Sequence, residues 1–382
     1  MDLPKQQRIL ERANGSRFVA GNSVKILHNG DQIFPAMLDA IDRAENRIDF
    51  ATYVYWQGEI AEVFAQRLAD KARSGVQTRV LLDAVGAKQM KDPLIDQLLD
   101  AGVELRWFRP LSTWRLWRMG KRMHRKILLC DDRCAFTGGV GIGQEWTGDA
   151  RNSREWRDTH VEIRGPVIEG IYAAFVQNWN ESGSWTCEQE IDAPAPQSED
   201  IPITVVRGST TIGWTDTASL IRTLLCVAQK ELQITTAYFN PDDKLRDLLI
   251  SASQRGVSVK ILVPGKQCDS RLSQLAGHSQ VEKLLAHGVQ IWQYQKTMLH
   301  AKYITIDGEF ACIGSANFNH RSMLKDEECC IIAQSKEVAE NLDRKFDNDL
   351  KDADQINHQS WAKRSRWLKA REWLAQNLEN QL

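Results

Sequence analysis

The chain is written twice. HRKILLCD begins at His124 and HAKYITID at His300, each with a His, one spacer, a Lys, four spacers and an Asp. The segments around them repeat in the same order. NRIDFATYV (46–54) reads like KELQITTAYF (230–239), SGVQTRVLLD (74–83) like RGVSVKILVP (255–264), and AGVELRWFRP (101–110) like HGVQIWQYQ (287–295). The period is too long for a solenoid and specifies a two-fold internal duplication. Whatever this sequence folds into must have two like halves.

Each half alternates helix-like and strand-like segments. FPAMLDAIDRAE and IAEVFAQRLADKARSG carry apolar residues at helical spacing, while RVLLDAV and VKILVPG are short β-branched runs ending in turn residues. That alternation predicts a duplicated α/β fold with a largely parallel sheet in each half. TCEQEIDAPAPQSEDIP (186–202), rich in Pro and acids, reads as the connection between them. The expected organisation is a first half over 1–185, a linker over 186–212, a second half over 213–355 and a basic, Trp-rich helical tail over 356–382. The eight cysteines include no CxxC pair, and Cys130 and Cys312 lie in apolar strand-like runs. They read as reduced core thiols rather than a disulfide or zinc framework. MDLPKQQRILERANG has no apolar signal core, and no apolar run is long enough for a bilayer span. A net charge of −1 leaves any attraction to an anionic partner to local patches.

In a strand, alternate residues share a face, so His124 sides with Lys126 and His300 with Lys302. Asp131 and Asp307 fall on the opposite parity, and Asp307-Gly308 is a tight-turn signal. These two aspartates are therefore expected to fix the turn and neighbouring backbone. After each Asp a short strand runs into glycine: RCAFTGGVGI and EFACIGSANF. In the second copy Gly314 allows close approach of backbone to a ligand, and Ser315 and Asn317 add polar groups. A histidine nucleophile, a lysine point charge and an amide donor converging on one point make a phosphate site. A single HxK match is usually surface decoration. Two complete copies in the same strand–glycine context favour the functional reading.

HxK(x)4D followed by a GS/GG-x-N segment resembles the signature of the phospholipase D superfamily. GNSVKILHNGDQIFPAMLDAIDRA, WRDTHVEIRGP, ILVPGKQCD and GSANFNHRSM further resemble bacterial cardiolipin synthases of the type lacking transmembrane helices. The resemblance implies two halves packed about a pseudo-two-fold axis, with one active site where both motifs meet. It counts His124, Lys126, Asp131, His300, Lys302 and Asp307 as the catalytic set. It implies His124 as nucleophile, His300 as general acid and base, and Asp158 and Glu328 as the carboxylates that orient the two rings. Ser315 and Asn317 become phosphate-binding. No metal or cofactor is implied. The implied reaction makes cardiolipin from phosphatidylglycerol by transesterification through a phosphohistidine; phosphodiester hydrolysis, of lipid or less readily nucleic acid, is the alternative, and non-catalytic lipid binding is a third. The chain departs from the pattern at Gly141, where the family's first copy has Asn, and at Ala237.

From Arg106 to Lys126 there are basic residues and no acidic one, with Trp107, Trp114 and Trp117 interleaved. Trp114, Arg115, Trp117 and Arg118 are the candidate contacts with an anionic phospholipid membrane. Stacking on single-stranded nucleic acid and a solvated loop with a few buried Trp are competing readings. The tail WAKRSRWLKAREWLAQNLENQL suits either docking on the protein's own surface or an interfacial membrane helix. The expected setting is peripheral, on the cytoplasmic side of a bacterial inner membrane, with phosphatidylglycerol as substrate, no nucleic acid and no protein partner.

Overall fold

A computed structural model describes residues 1–110, 120–183, 194–208, 210–211 and 214–381. The candidate membrane contacts Trp114, Arg115, Trp117 and Arg118 lie outside the described residues.

One fifteen-stranded sheet runs through both halves. The first half supplies β1 (Val19–His28), β2 (Arg47–Thr52), β3 (Gln77–Asp83), β4 (Glu104–Phe108), β5 (Ile127–Cys130), β6 (Cys134–Gly138) and β7 (Thr159–Arg164). The second supplies β8 (Ile201–Gly208), β9 (Glu231–Thr235), β10 (Ser258–Pro264), β11 (Gln290–Tyr294), β12 (Tyr303–Ile306), β13 (Phe310–Gly314), β14 (Glu328–Gln334) and β15 (Ala353–Gln355). The order is β15-β11-β10-β9-β12-β13-β14-β8-β1-β7-β6-β5-β2-β3-β4. Apart from β15 it is symmetric about the antiparallel β1–β8 pair, which marks the pseudo-two-fold axis.

The duplicated α/β fold is as expected, but largely parallel sheets are not. Among the described strands of this sheet, only β2–β3–β4 and β9–β10–β11 run parallel. The other pairings of the sheet are antiparallel. The reason is local. The strand that follows each His-Lys pair, Ile127–Cys130 or Tyr303–Ile306, turns back on itself through a three-residue loop, which forces antiparallel pairing. The first two residues of each loop have positive φ: Asp131 53° and Asp132 54°, Asp307 56° and Gly308 66°.

A core drawn from both halves lies between them, with Ile127, Leu129, Ala135 and Val161 against Tyr303, Ala311, Ile313 and Ile331. The helices Ile168–Glu181 and Lys336–Leu350 add Phe175, Trp179, Leu342 and Phe346 to it. Two further cores fill the space between each half's sheet and its outer helices. Cys130, Cys134, Cys312, Cys329 and Cys330 are buried free thiols.

The division of the chain differs from its composition in two places. β8 falls inside the segment expected to link the halves and is the counterpart of β1. The helix Leu3–Asn14 packs on the second half: Leu10 enters its core, and Gln6 Nε2 donates to Val227 O (3.0 Å) and Asp307 Oδ2 (2.8 Å). The tail forms the helices His358–Ala362 and Arg366–Gln381. No helix among the described residues is long and apolar enough to cross a membrane.

Candidate active site

The two histidines are held by reciprocal clamps across the pseudo-two-fold axis. His124 N donates to Glu327 O (2.9 Å), and Glu327 N to Arg122 O (2.8 Å). In the mirrored arrangement His300 N donates to Arg157 O (2.7 Å), and Arg157 N to Met298 O (2.9 Å). Each clamping residue immediately precedes a carboxylate, and that carboxylate takes the ring. His124 Nδ1 lies 3.0 Å from Glu328 Oε2, and His300 Nδ1 lies 2.7 Å from Asp158 Oδ2. Each ring is thus oriented by the carboxylate of the other half. With Nδ1 committed, Nε2 is the ring nitrogen left for chemistry.

Both rings line one cavity of about 340 Å³, with Lys126 and Asn317 also in its wall. His124 and His300 are 8% and 5% exposed, enough to meet a ligand while their far sides stay dry. Lys126 Nζ donates to His124 O at 2.8 Å, and Lys302 Nζ donates to His300 O. The amide of Asn317 is buried with its oxygen unpartnered. Lys302 itself is buried behind His300.

Ser315 is not in the cavity wall. It is fully buried, and its hydroxyl donates to Glu328 and accepts from Cys329 N (3.1 Å), so it supports the carboxylate behind His124 rather than a phosphate. Ser322 Oγ adds a second hydroxyl to Glu328, at 2.6 Å. The first half does the same work differently. Gly139 stands where the second half has Ser315, because a Cβ there would meet Asp158 Oδ1 at 2.1 Å. The Trp146 indole N–H, 2.9 Å from Asp158 Oδ2, replaces the hydroxyl. Gly141, in the position of Asn317, is filled in similarly: a Cβ would lie 2.7 Å from Val54 Cβ. The amide absent from this half has been exchanged for apolar packing.

Asp131 and Asp307 lie at the far ends of their strands. Asp131 accepts from the backbone N–H of Glu45, Asn46 and Arg47 at 2.7–2.8 Å. Asp307 accepts from those of Gln229, Lys230 and Glu231. Both fasten the hairpin to the start of the neighbouring strand, β2 or β9, as their parity predicts.

Several wall residues carry no local sequence signal. Trp146 and Trp156 pack on the His300 ring with centroids 5.2 and 5.4 Å away, and Trp56 meets both at steep interplanar angles. Tyr53 meets the His124 ring edge-on at 5.2 Å. The Arg321–Asp326 pair (2.8 Å) borders the cavity beside Asn319 and Ser322. The cavity lining is therefore part aromatic and part polar. A narrow, mostly apolar slot including Phe239, Val281 and Ile291 shares Tyr238, Asp269, Ser270 and Ser273 with the cavity.

Burial dominates the electrostatics. It pulls the Lys126 ammonium down to about 8 against Glu328 and Asp158, and Lys302 down to about 7 against Asp158. Burial, with Lys302 beside it, holds His300 down to about 4 despite Asp158. The carboxylates go the other way. Burial opposes their charge, yet His124 and Lys126 keep Glu328 down at about 2, and His300 and Lys302 keep Asp158 below the usual carboxylate range. An anion entering the cavity favours the charged lysines, so it raises their pKa values and takes up protons. Affinity for a phosphodiester is expected to fall as pH rises through 7 to 8, where the empty site loses its ammonium charges. NMR titration of the lysine Cε groups with and without dimethyl phosphate, a monoanion throughout this range, checks it. Midpoints that stay fixed on saturation would remove both lysines from the phosphate site.

A family model described as "Cardiolipin synthase, PLD-like domain" matches residues 37–156 and 221–350, one match in each half. The chain is 32% identical over 368 residues to cardiolipin synthase 1 of Bacillus anthracis, covering 94% of this chain and 72% of that one. It is 31% identical over 364 residues to a cardiolipin synthase of Clostridium perfringens strain 13, covering 92% and 75%. The solved phosphatidylserine synthase of Haemophilus influenzae Rd KW20 is similar across 99% of this chain and 100% of that one, with a TM-score of 0.78. Its 14% identity makes that a likeness of fold alone.

Proposed function

The chain belongs to the PLD-like cardiolipin synthase family of the phospholipase D superfamily, and on that premise we propose that it makes cardiolipin from two molecules of phosphatidylglycerol. The observation that carries the reading is the pair of histidines facing one cavity, each with its Nδ1 on a buried carboxylate of the opposite half. Two like groups in one site suit a reaction of two like steps. His124 Nε2 attacks the phosphorus of the first lipid, and the P–O bond to the head-group glycerol breaks. His300 gives that glycerol its proton. His300 then takes a proton from the head-group hydroxyl of the second lipid. The oxygen attacks phosphorus and the P–N bond to His124 breaks. One phosphodiester is exchanged for another, so no nucleotide is consumed.

His300 must carry a proton to act as acid, yet burial and Lys302 hold it neutral in the empty site. The negative phosphodiester offsets Lys302, and Asp158 already favours the imidazolium. Substrate binding thus creates the acid. Lys126 and Asn317, in the cavity wall, stabilise charge on the phosphoryl oxygens, and Lys302 adds its positive charge from behind His300. The apolar slot beside the cavity favours a lipid over a wholly polar phosphodiester, and the expected place of action is a membrane surface.

The test is purified protein with labelled phosphatidylglycerol vesicles. Cardiolipin and glycerol are the expected products, in equal amounts. Phosphatidic acid in place of cardiolipin would mean that water is the acceptor and that the chain is a hydrolase.

A further inference from the structure

The helix Arg366–Gln381 has two unlike faces. Its inner face is fastened to the helix Arg271–Ala286. Glu372, 1% exposed, is clasped by Arg364 and lies 3.7 Å from His278 Nδ1. Lys369 Nζ pairs with Glu282 at 2.8 Å, and Ser279 Oγ donates to Gln376 at 2.9 Å. The outer face carries Trp367, Trp373 and Leu374, which are 74%, 60% and 54% exposed. Trp367 and Trp373 are the only exposed tryptophans among the described residues; Leu374 lies beside Trp367 on the helix surface, and Trp373 lies about 120° around the same solvent-facing arc. Exposed Arg366 and Arg371 flank them, and the one acid between Arg366 and Asn377 is the buried Glu372.

We propose that this face seats the protein on an anionic lipid bilayer, with the indoles and Leu374 in the interface and the arginines on the head groups. This inference rests on the lipid-substrate reading for its purpose, not for its geometry. Charge chooses the occupant. In a symmetric contact with a second copy, the arginines of the two copies would meet on a face whose described side chains include no exposed acid. Anionic head groups complement both arginines, and tryptophan between cations is the composition that an interface holds. The placement also fits. The receiving helix begins at Arg271, and Ser270 and Ser273 at that end line the catalytic cavity. One helix therefore runs from the cavity wall, at Ser270 and Ser273, to the segment around His278–Glu282 on which the aromatic helix is fastened.

The experiment is co-sedimentation with phosphatidylglycerol and phosphatidylcholine vesicles across a salt series. Turnover of a short-chain, water-soluble phosphodiester is measured alongside. The combined Trp367→Ser, Trp373→Ser and Leu374→Ser variant is expected to bind both vesicle types at least about tenfold more weakly. Arg366→Ser with Arg371→Ser is expected to lose about 30-fold on phosphatidylglycerol at low salt and little on phosphatidylcholine. Soluble turnover should stay within about twofold in both, since neither change touches the cavity. Unchanged vesicle binding in both variants overturns the proposal. So does a native dimer that the apolar variant disperses in sedimentation velocity, which would make a second copy the occupant. Should the apolar variant fail to fold, the arginine pair decides alone, because it leaves the apolar face in place. Binding is read without turnover, so failure to make cardiolipin and failure to bind vesicles are separate results.

Discussion

His124→Ala and His300→Ala are each expected to lower turnover of phosphatidylglycerol by about 10⁴-fold or more, because each removes a group used in both steps. They are expected to fail differently. Offered a phosphatidyl ester of p-nitrophenol, whose leaving group needs no proton, the His300→Ala protein should release one equivalent of nitrophenolate and stop. His124 still attacks, but nothing deprotonates the incoming alcohol, and the phosphoryl group stays on nitrogen. The His124→Ala protein should give no burst. Label recovered from the stalled protein should map to His124 and be labile to acid. A burst from His124→Ala and none from His300→Ala would exchange the two roles. Substantial steady turnover in either variant would dismantle the single shared site.

The duplication, the His-Lys pairing and the family were legible because each is carried by residues close in sequence. The turn role of Asp131 and Asp307 followed from strand parity and the Asp307-Gly308 turn signal, and their bonds to backbone N–H groups agree with it. What was not legible depends on contacts between halves. Ser315 lies beside Asn317 in the chain, yet its hydroxyl turns to Glu328 while Asn317 faces the cavity. Trp146 does the work of a serine from outside either motif. The sheet's direction was misread because segment alternation reports layers and not the sense in which neighbours pair. β8 was hidden because the acidic, Pro-rich residues before it masked the alternation in IPITVV.

The carboxylates offer the sharper test of the architecture. Asp158→Asn and Glu328→Gln keep shape but remove the charge that fixes each ring's tautomer. Each is expected to cost roughly 10²- to 10⁴-fold in kcat with a smaller change in KM. Which ring responds is the informative part. Glu328→Gln should alter the tautomer of His124 and leave that of His300 nearly as it was; Asp158→Asn should do the reverse. Imidazole nitrogen NMR on the two variants reads this directly. Pairing within each half predicts the opposite pattern, so one comparison separates the two. A pH argument accompanies it. Glu328 titrates lower folded, at about 2, than an unperturbed glutamate at about 4.3. Its stabilising contribution is therefore complete above the unfolded value and lost as pH falls toward 2. Glu328→Gln should flatten the loss of thermal stability between about pH 4 and 2. An unflattened acid limb, together with an undisturbed His124, would mean that Glu328 is not the ring's partner. The site would then not be one that only the two halves together can build.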